Sequence, residues 1–162
     1  MVDTRPNKRV SESKTLHTEI VMSSHVNGAG RLFGGLLMQW IDVVAAVVAR
    51  RHSQMDVITA SISSLEFKAP AHLNDTIELV GQIVYAGRTS MEIRVDTYVE
   101  SLSRRRTHVN RAYLTMVALN EDGLPAPVPA LIPETDEDQA EYRAAEARRN
   151  SRRNSRRKEQ TP

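Results

Sequence analysis

From Gly34 to about Arg51 the chain is almost wholly apolar, built of Leu, Met, Trp, Ile, Val and Ala, and interrupted by Gln39 and one carboxylate, Asp42. The stretch reads as a single helix of roughly 18 residues, about 27 Å long. It is too apolar for a half-exposed surface helix, so other structure must wrap it. Arg50 and Arg51 near its end suit the negative pole of the helix dipole. It could barely span a bilayer, but with Gln39 and Asp42 inside it and alternating segments after it, it reads as a buried helix with no membrane insertion. A charge inside such a helix is costly unless paired, hydrated or used, which makes Asp42 the first functional candidate.

Around this helix the pattern is that of a sheet. Thr15 to Met22 reads as a first strand, and Asn27-Gly28 with Gly30 as an irregular turn into the helix. Four further strands are expected at Val57–Phe67, Thr76–Tyr85, Ser90–Glu100 and Val109–Leu119. Ile77, Leu79, Gly81, Ile83 and Tyr85 alternate with polar positions, and Ala86-Gly87-Arg88 makes a hairpin-like link. Asp122-Gly123 and the prolines at 125, 127, 129 and 133 end the sheet, and a charged helix starts near Glu134. Residues 1–14 are expected to be a flexible N-terminus, 15–133 the folded domain, and 134–162 a charged helix with a basic tail, disordered past Asn150. A single helix cannot cover both faces of a doubly wound sheet. The expected class is therefore α+β, a curved antiparallel sheet wrapped around a long central helix, plus a C-terminal helix. A second copy can continue or cover the sheet's edges.

At 162 residues there is room for one core. With no cysteine, disulfides and thiolate-bound metals are excluded, and no apolar leader precedes Lys14, so a cytoplasmic location is expected. The net charge of +2 hides a segregation: residues 141–162 hold eight basic and three acidic side chains, a local +5, which leaves about −3 for the rest. A basic tail on a mildly acidic body, with two Phe and one Trp for stacking, does not make a nucleic-acid-binding domain.

An ordered set of motifs carries a more specific reading. It comprises Asn27-Gly28-x-Gly30-x-x-Phe33-Gly34-Gly35, then Met38 and Asp42, then Phe67-Lys68-x-Pro70, then Gly87-Arg88-Thr89-Ser90. The stretch from Glu134 through Arg149 completes the set. Over about residues 15–150 the chain resembles the acyl-CoA thioesterase branch of the hotdog superfamily. That resemblance implies hydrolysis of an acyl-CoA thioester to a free acid and CoA, without metal or organic cofactor. It also implies a homodimer, often assembled into a trimer of dimers (a homohexamer), with active sites at the dimer interface.

The residue chemistry is compatible with this. Asp42 can orient an attacking water and accept its proton, or attack the carbonyl directly to give an anhydride. A purely structural Asp42, capping a neighbouring backbone segment or holding interface water, is the plain alternative. Asn27 can hold the water or the thioester oxygen, although Asn-Gly is also a common turn pair. Gly34 and Gly35 let backbone approach a ligand, and the Gly35 amide is the expected oxyanion donor; the same glycines would also permit tight packing. His25 lies on the same loop and is a weaker candidate. For the CoA moiety, Gly34, Lys68, Arg88, Thr89, Ser90, Arg148 and Arg149 are the expected contacts, each one a solvated surface group if it has no ligand. Ser61, Ser63 and Ser64 lack a nucleophile elbow, which argues against a serine hydrolase. Two competing functions are a hotdog hydratase or dehydratase, which would want a helical His near Asp42, and a non-catalytic acyl-CoA-binding oligomer.

Overall fold

The computed structural model describes residues 5–159, with side chains described through residue 155. In chain order the elements are β1 (Asn7–Arg9), β2 (Thr15–Ile20), α1 (Gly34–Ser53), β3 (Asp56–Phe67), β4 (Thr76–Ala86), β5 (Ser90–Glu100), β6 (Arg106–Leu119), β7 (Ala130–Ile132) and α2 (Asp136–Glu159). Five strands form one antiparallel sheet in the order β2-β4-β5-β6-β3, while β1 and β7 pair in parallel as a small separate sheet. The sheet lies against α1 on one face and α2 on the other, the expected α+β hotdog architecture. No described helix is long and apolar enough to cross a membrane.

The helix meets the sheet along Leu37, Ile41, Val44, Ala45 and Val48, spaced three and four apart so that they share one face, and all are buried. They pack with Leu79, Ile83, Ile93, Val95, Leu114 and Met116, alternate positions of the central strands. Burying each such Leu or Ile contributes roughly 1.5–3 kcal/mol. Gly81 lets the two layers approach closely: a Cβ there would lie 2.6 Å from Val44 Cγ1 and 2.8 Å from Val48 Cγ2.

Two sequence expectations need correction. The segment before Thr15 is not loose over residues 7–12: β1 pairs with β7 from Asn7↔Ala130 to Arg9↔Ile132, and Val10 is buried. A three-residue polar strand shows no alternation, and its partner lies in a proline-rich stretch that reads as loop. The run past Asn150 continues as helix to Glu159, because the segment from Asp136 contains neither Gly nor Pro to stop it. Residues 1–4 of the N-terminal segment that was expected to be flexible, and the last residues of the expected basic tail, lie outside the described residues.

Two features shape the site. First, β3 is an edge strand with register shifts between Thr59 and Ser61 and between Ser63 and Leu65, and such bulges re-aim the side chains beside them. Second, α1 keeps apolar surface on the side facing away from the core. Val43 is 55% exposed, and Ile58 on β3 is 51% exposed. An open edge strand beside exposed apolar side chains is a surface that asks for cover.

α2 is held by charge more than by apolar packing. Glu92, whose side chain is 4% exposed, takes Arg148 and Arg152, and Arg94 reaches Glu137 at 3.2 Å and Glu141 at 3.1 Å. Beneath them Asp96 accepts from Arg111 Nε at 2.6 Å and meets His108 Nε2 at 2.9 Å and Arg94 Nε at 3.0 Å. The outer face of the central strands is thus a buried ionic layer, in which each carboxylate is compensated.

Candidate active site

Asp42 lies on the side of α1 that faces β3. Its Oδ1 accepts a 2.6 Å hydrogen bond from Thr59 Oγ1. Thr59 immediately precedes the first bulge of β3, and its hydroxyl also lies 3.4 Å from Met116 Sδ. A single hydroxyl donor leaves the second carboxylate oxygen available to a water, so the group is both oriented and usable.

Asn27 sits in a turn that its own side chain builds. Its Oδ1 accepts from the backbone N–H groups of Ala29 at 3.0 Å and Arg31 at 3.3 Å, while its backbone N–H donates to Arg31 O at 2.8 Å. With the carbonyl oxygen engaged in the turn, the amide NH2 is the part of Asn27 that can donate to a ligand.

The glycine pair opens α1. Phe33 O accepts from Leu36 N and Leu37 N, at 3.0 and 3.2 Å, and the Phe33 N-cap provides no side-chain cap. The amides of Gly34 and Gly35 are therefore first-turn donors without intrahelical acceptors, at the positive end of a 20-residue helix. The Phe33 ring rests on Gly35: a Cβ there would lie 2.6 Å from Phe33 Cε1. The Phe67 ring stands 3.5 Å from where a Gly34 Cβ would be. The only two phenylalanines of the chain thus flank its Gly-Gly pair.

A pocket of about 360 Å³ opens beside this helix end, with Asn27, Arg31, Gly34 and Lys68 around apolar walls that include Leu37 and Val109. Three of the sequence-predicted residues, Asn27, Gly34 and Lys68, come together here. Asp42 does not line this pocket. Gly35 and Asp42 are seven residues apart on one helix, roughly 10 Å along its axis at 1.5 Å per residue. The Gly35 amide and the Asp42 carboxylate of one chain therefore do not converge on one carbonyl carbon.

The remaining expected contacts lie elsewhere. Arg88 is exposed and Ser90 O accepts from Gly87 N at 2.7 Å, while Thr89 O accepts from Ala118 N at 3.0 Å. Arg149 is pressed against Gly87 and over the Tyr85 ring, 5.4 Å from its centroid. Ser90 and Arg149 share a second groove of about 360 Å³, on the sheet's outer face, with Arg152 and Arg153. Arg148 is half-buried, paired with Glu92 and 4.2 Å over the Tyr113 ring. His25 accepts the Met22 N–H at Nδ1 (3.1 Å) and stands edge-on to Trp40, a packing role. Sequence reasoning missed Thr59, Arg31 and Phe33. Thr59 had no signal, since only the folded strand places it opposite Asp42.

A family model described as the thioesterase superfamily matches residues 29–104. The uncharacterized acyl-CoA thioester hydrolase YkhA of Bacillus subtilis is 36% identical over 138 residues, covering 85% of this chain and 80% of that protein. An apo-hexameric acyl-CoA thioesterase superposes with a TM-score of 0.89 at 38% identity, covering 93% of this chain and 97% of that one. The acyl-CoA hydrolase of Staphylococcus aureus, solved with butyryl coenzyme A, coenzyme A and coenzyme A disulfide, gives 0.88 at 36% identity, with 95% and 94% covered. Structures of that enzyme also exist with an Asn, an Asp or a Thr replaced by Ala. On its hotdog architecture and these likenesses together, the chain belongs to the hotdog-fold acyl-CoA thioesterase family.

Proposed function

We propose that the protein hydrolyses acyl-CoA thioesters to a carboxylic acid and CoA, at a site completed between two copies of the chain. The observation that carries this reading is the division of the machinery. Asp42 and Thr59 lie at an apolar, open-edged surface, whereas the free Gly34 and Gly35 amides open α1 about 10 Å away along its axis, and Asn27 lies in the turn that precedes the helix. A second copy covering the β3 edge and the exposed side of α1 brings one chain's carboxylate against the other's donors.

In that arrangement the Asn27 NH2 and the Gly35 amide hold the thioester oxygen, and each gains strength as that oxygen becomes an oxyanion. Asp42, steered by Thr59, orients a water and takes its proton as the water oxygen bonds to the carbonyl carbon. Collapse of the tetrahedral intermediate breaks the carbon–sulfur bond, and the departing thiolate recovers a proton. The Asn, Asp and Thr replaced in the S. aureus enzyme are the same three residue types, in support of Asn27, Asp42 and Thr59 as a working set.

For the CoA moiety the proposed contacts are Gly34 and Lys68 at the pocket, and Arg88, Thr89, Ser90 and Arg149 on the outer face. Arg148 contributes by holding α2 on Glu92. A trimer of dimers is the proposed assembly, in line with the hexameric relative, and a cytoplasmic setting suits a chain without cysteine. Thiol release from acetyl-, butyryl-, octanoyl- and palmitoyl-CoA tests the reading. Chain-length-dependent release without added metal supports it, and release from none of the four sinks it.

A further inference from the structure

The hairpin that joins β5 to β6 breaks two local rules at its tip. Leu102 is fully exposed there, more so than any other large apolar side chain among the described residues. Two residues on, Arg104 takes the left-handed conformation, φ +62°, which glycine or asparagine adopts more easily than arginine. The turn holds both in place. Ser101 N–H donates to Arg105 O at 2.9 Å, Arg104 N–H to Ser101 O at 2.8 Å, and Arg105 N–H to Ser101 Oγ at 3.1 Å. Neither Leu102 nor Arg104 is buried, so core packing does not account for an apolar side chain in water beside a strained cation.

The charge at the tip is also uncompensated. Of the run Arg104-Arg105-Arg106, the last is answered, by Glu78 and by the Tyr98 ring 4.0 Å away. Arg104 and Arg105 are exposed and have no carboxylate partner among the described residues. Ile20, Thr76, Glu100 and Arg106 stand side by side in the last row of the sheet at this end. Beyond that row lie the β5–β6 tip, exposed Leu73 in the turn that leads into Thr76, and exposed Met22 after β2. Leu102 stands at the apex, and Arg104 and Arg105 follow where the turn rejoins β6. That order, apolar ahead of cationic, matches a lipid surface, whose anionic headgroups lie above its acyl chains. A convex tip is too small for a stable interface between folded proteins, which takes about 800 Å² from each partner. We propose that the β5–β6 tip docks the protein on an anionic lipid surface, with Leu102 entering the acyl boundary and Arg104 and Arg105 gripping lipid phosphates.

Co-sedimentation of the full chain with phosphatidylcholine vesicles, with and without phosphatidylglycerol, tests this. The wild type should pellet with the anionic vesicles and not with the neutral ones, and added salt should release it. Leu102→Ser should weaken the binding about tenfold, and Arg104→Gly with Arg105→Ser by about as much. Glycine suits the left-handed position, so a loss of binding in that variant reads the charge and not the fold. Both variants should keep the wild-type oligomeric state. Binding that survives both substitutions belongs to the basic C-terminal run and overturns the proposal, as does a wild type that binds duplex RNA, or nothing, in place of vesicles. A Leu102→Ser chain that dissociates into smaller oligomers also overturns it, since the tip would then sit between copies.

Discussion

Thr59 Oγ1 donates to Asp42 Oδ1 across 2.6 Å, tying a helix carboxylate to the bulged edge strand that faces it. The bond fixes which oxygen of Asp42 is occupied and so where a water can be held. Removing a hydrogen bond to a charged group costs about 1.5–3 kcal/mol. Thr59→Val should lower kcat about tenfold to a hundredfold with little change in KM, and Thr59→Ser should retain most of the rate. A Thr59→Val enzyme with native kcat would remove the residue from the mechanism.

Gly35 and Phe33 are sterically coupled, since a Cβ on Gly35 would lie 2.6 Å from the Phe33 ring. Gly35→Ala should destabilise the fold by about 1–3 kcal/mol through forced displacement of that ring. Adding Phe33→Ala should return most of the loss, a non-additive pair in thermal or urea unfolding. Additive effects would mean the ring does not limit residue 35.

A site divided between chains allows complementation. Asp42→Ala and Asn27→Ala homo-oligomers should each be nearly inactive. Co-refolded mixtures should regain a substantial fraction of native turnover, because half the sites in a mixed dimer carry neither substitution. Mixed oligomers with no recovery would place Asp42 and Asn27 in the same chain's site.

His52 gives a pH prediction. It is fully buried at the end of α1, its Nε2 lies 2.9 Å from Pro129 O, and burial holds its pKa below the ordinary value. The unfolded state then binds the proton first, so stability is lost as pH falls through about 6.5, the unperturbed imidazole value. His52→Gln, which can keep the bond to Pro129, should flatten the slope of unfolding free energy between about pH 7 and 5. An unchanged slope would assign the acid sensitivity to other groups.

Much of this molecule can be read from its residues. The apolar run from Gly34, with its lone Asp42, specifies a wrapped helix, and the alternation from Ile77 to Tyr85 and through β5 specifies the sheet. β1 stays hidden because Asn7, Lys8 and Arg9 show no period, and they pair only with a strand more than a hundred residues away. At the site, Asn27 and Gly34 are legible as a glycine-rich turn feeding a helix start. Thr59 is not, since strand register and a bulge decide which way it points. The pairing of Arg148 is hidden for a related reason: its partner, Glu92, sits on a strand whose outward face reads as solvent-exposed until α2 covers it.

The most direct measurement is thiol release by the wild-type chain on its best acyl-CoA, with a folded, oligomeric Asp42→Ala protein in parallel. Water activation by Asp42 predicts a loss of at least about tenfold in kcat with the assembly intact. A native rate in that variant would contradict the assignment of Asp42 and, with it, the account of how this site works.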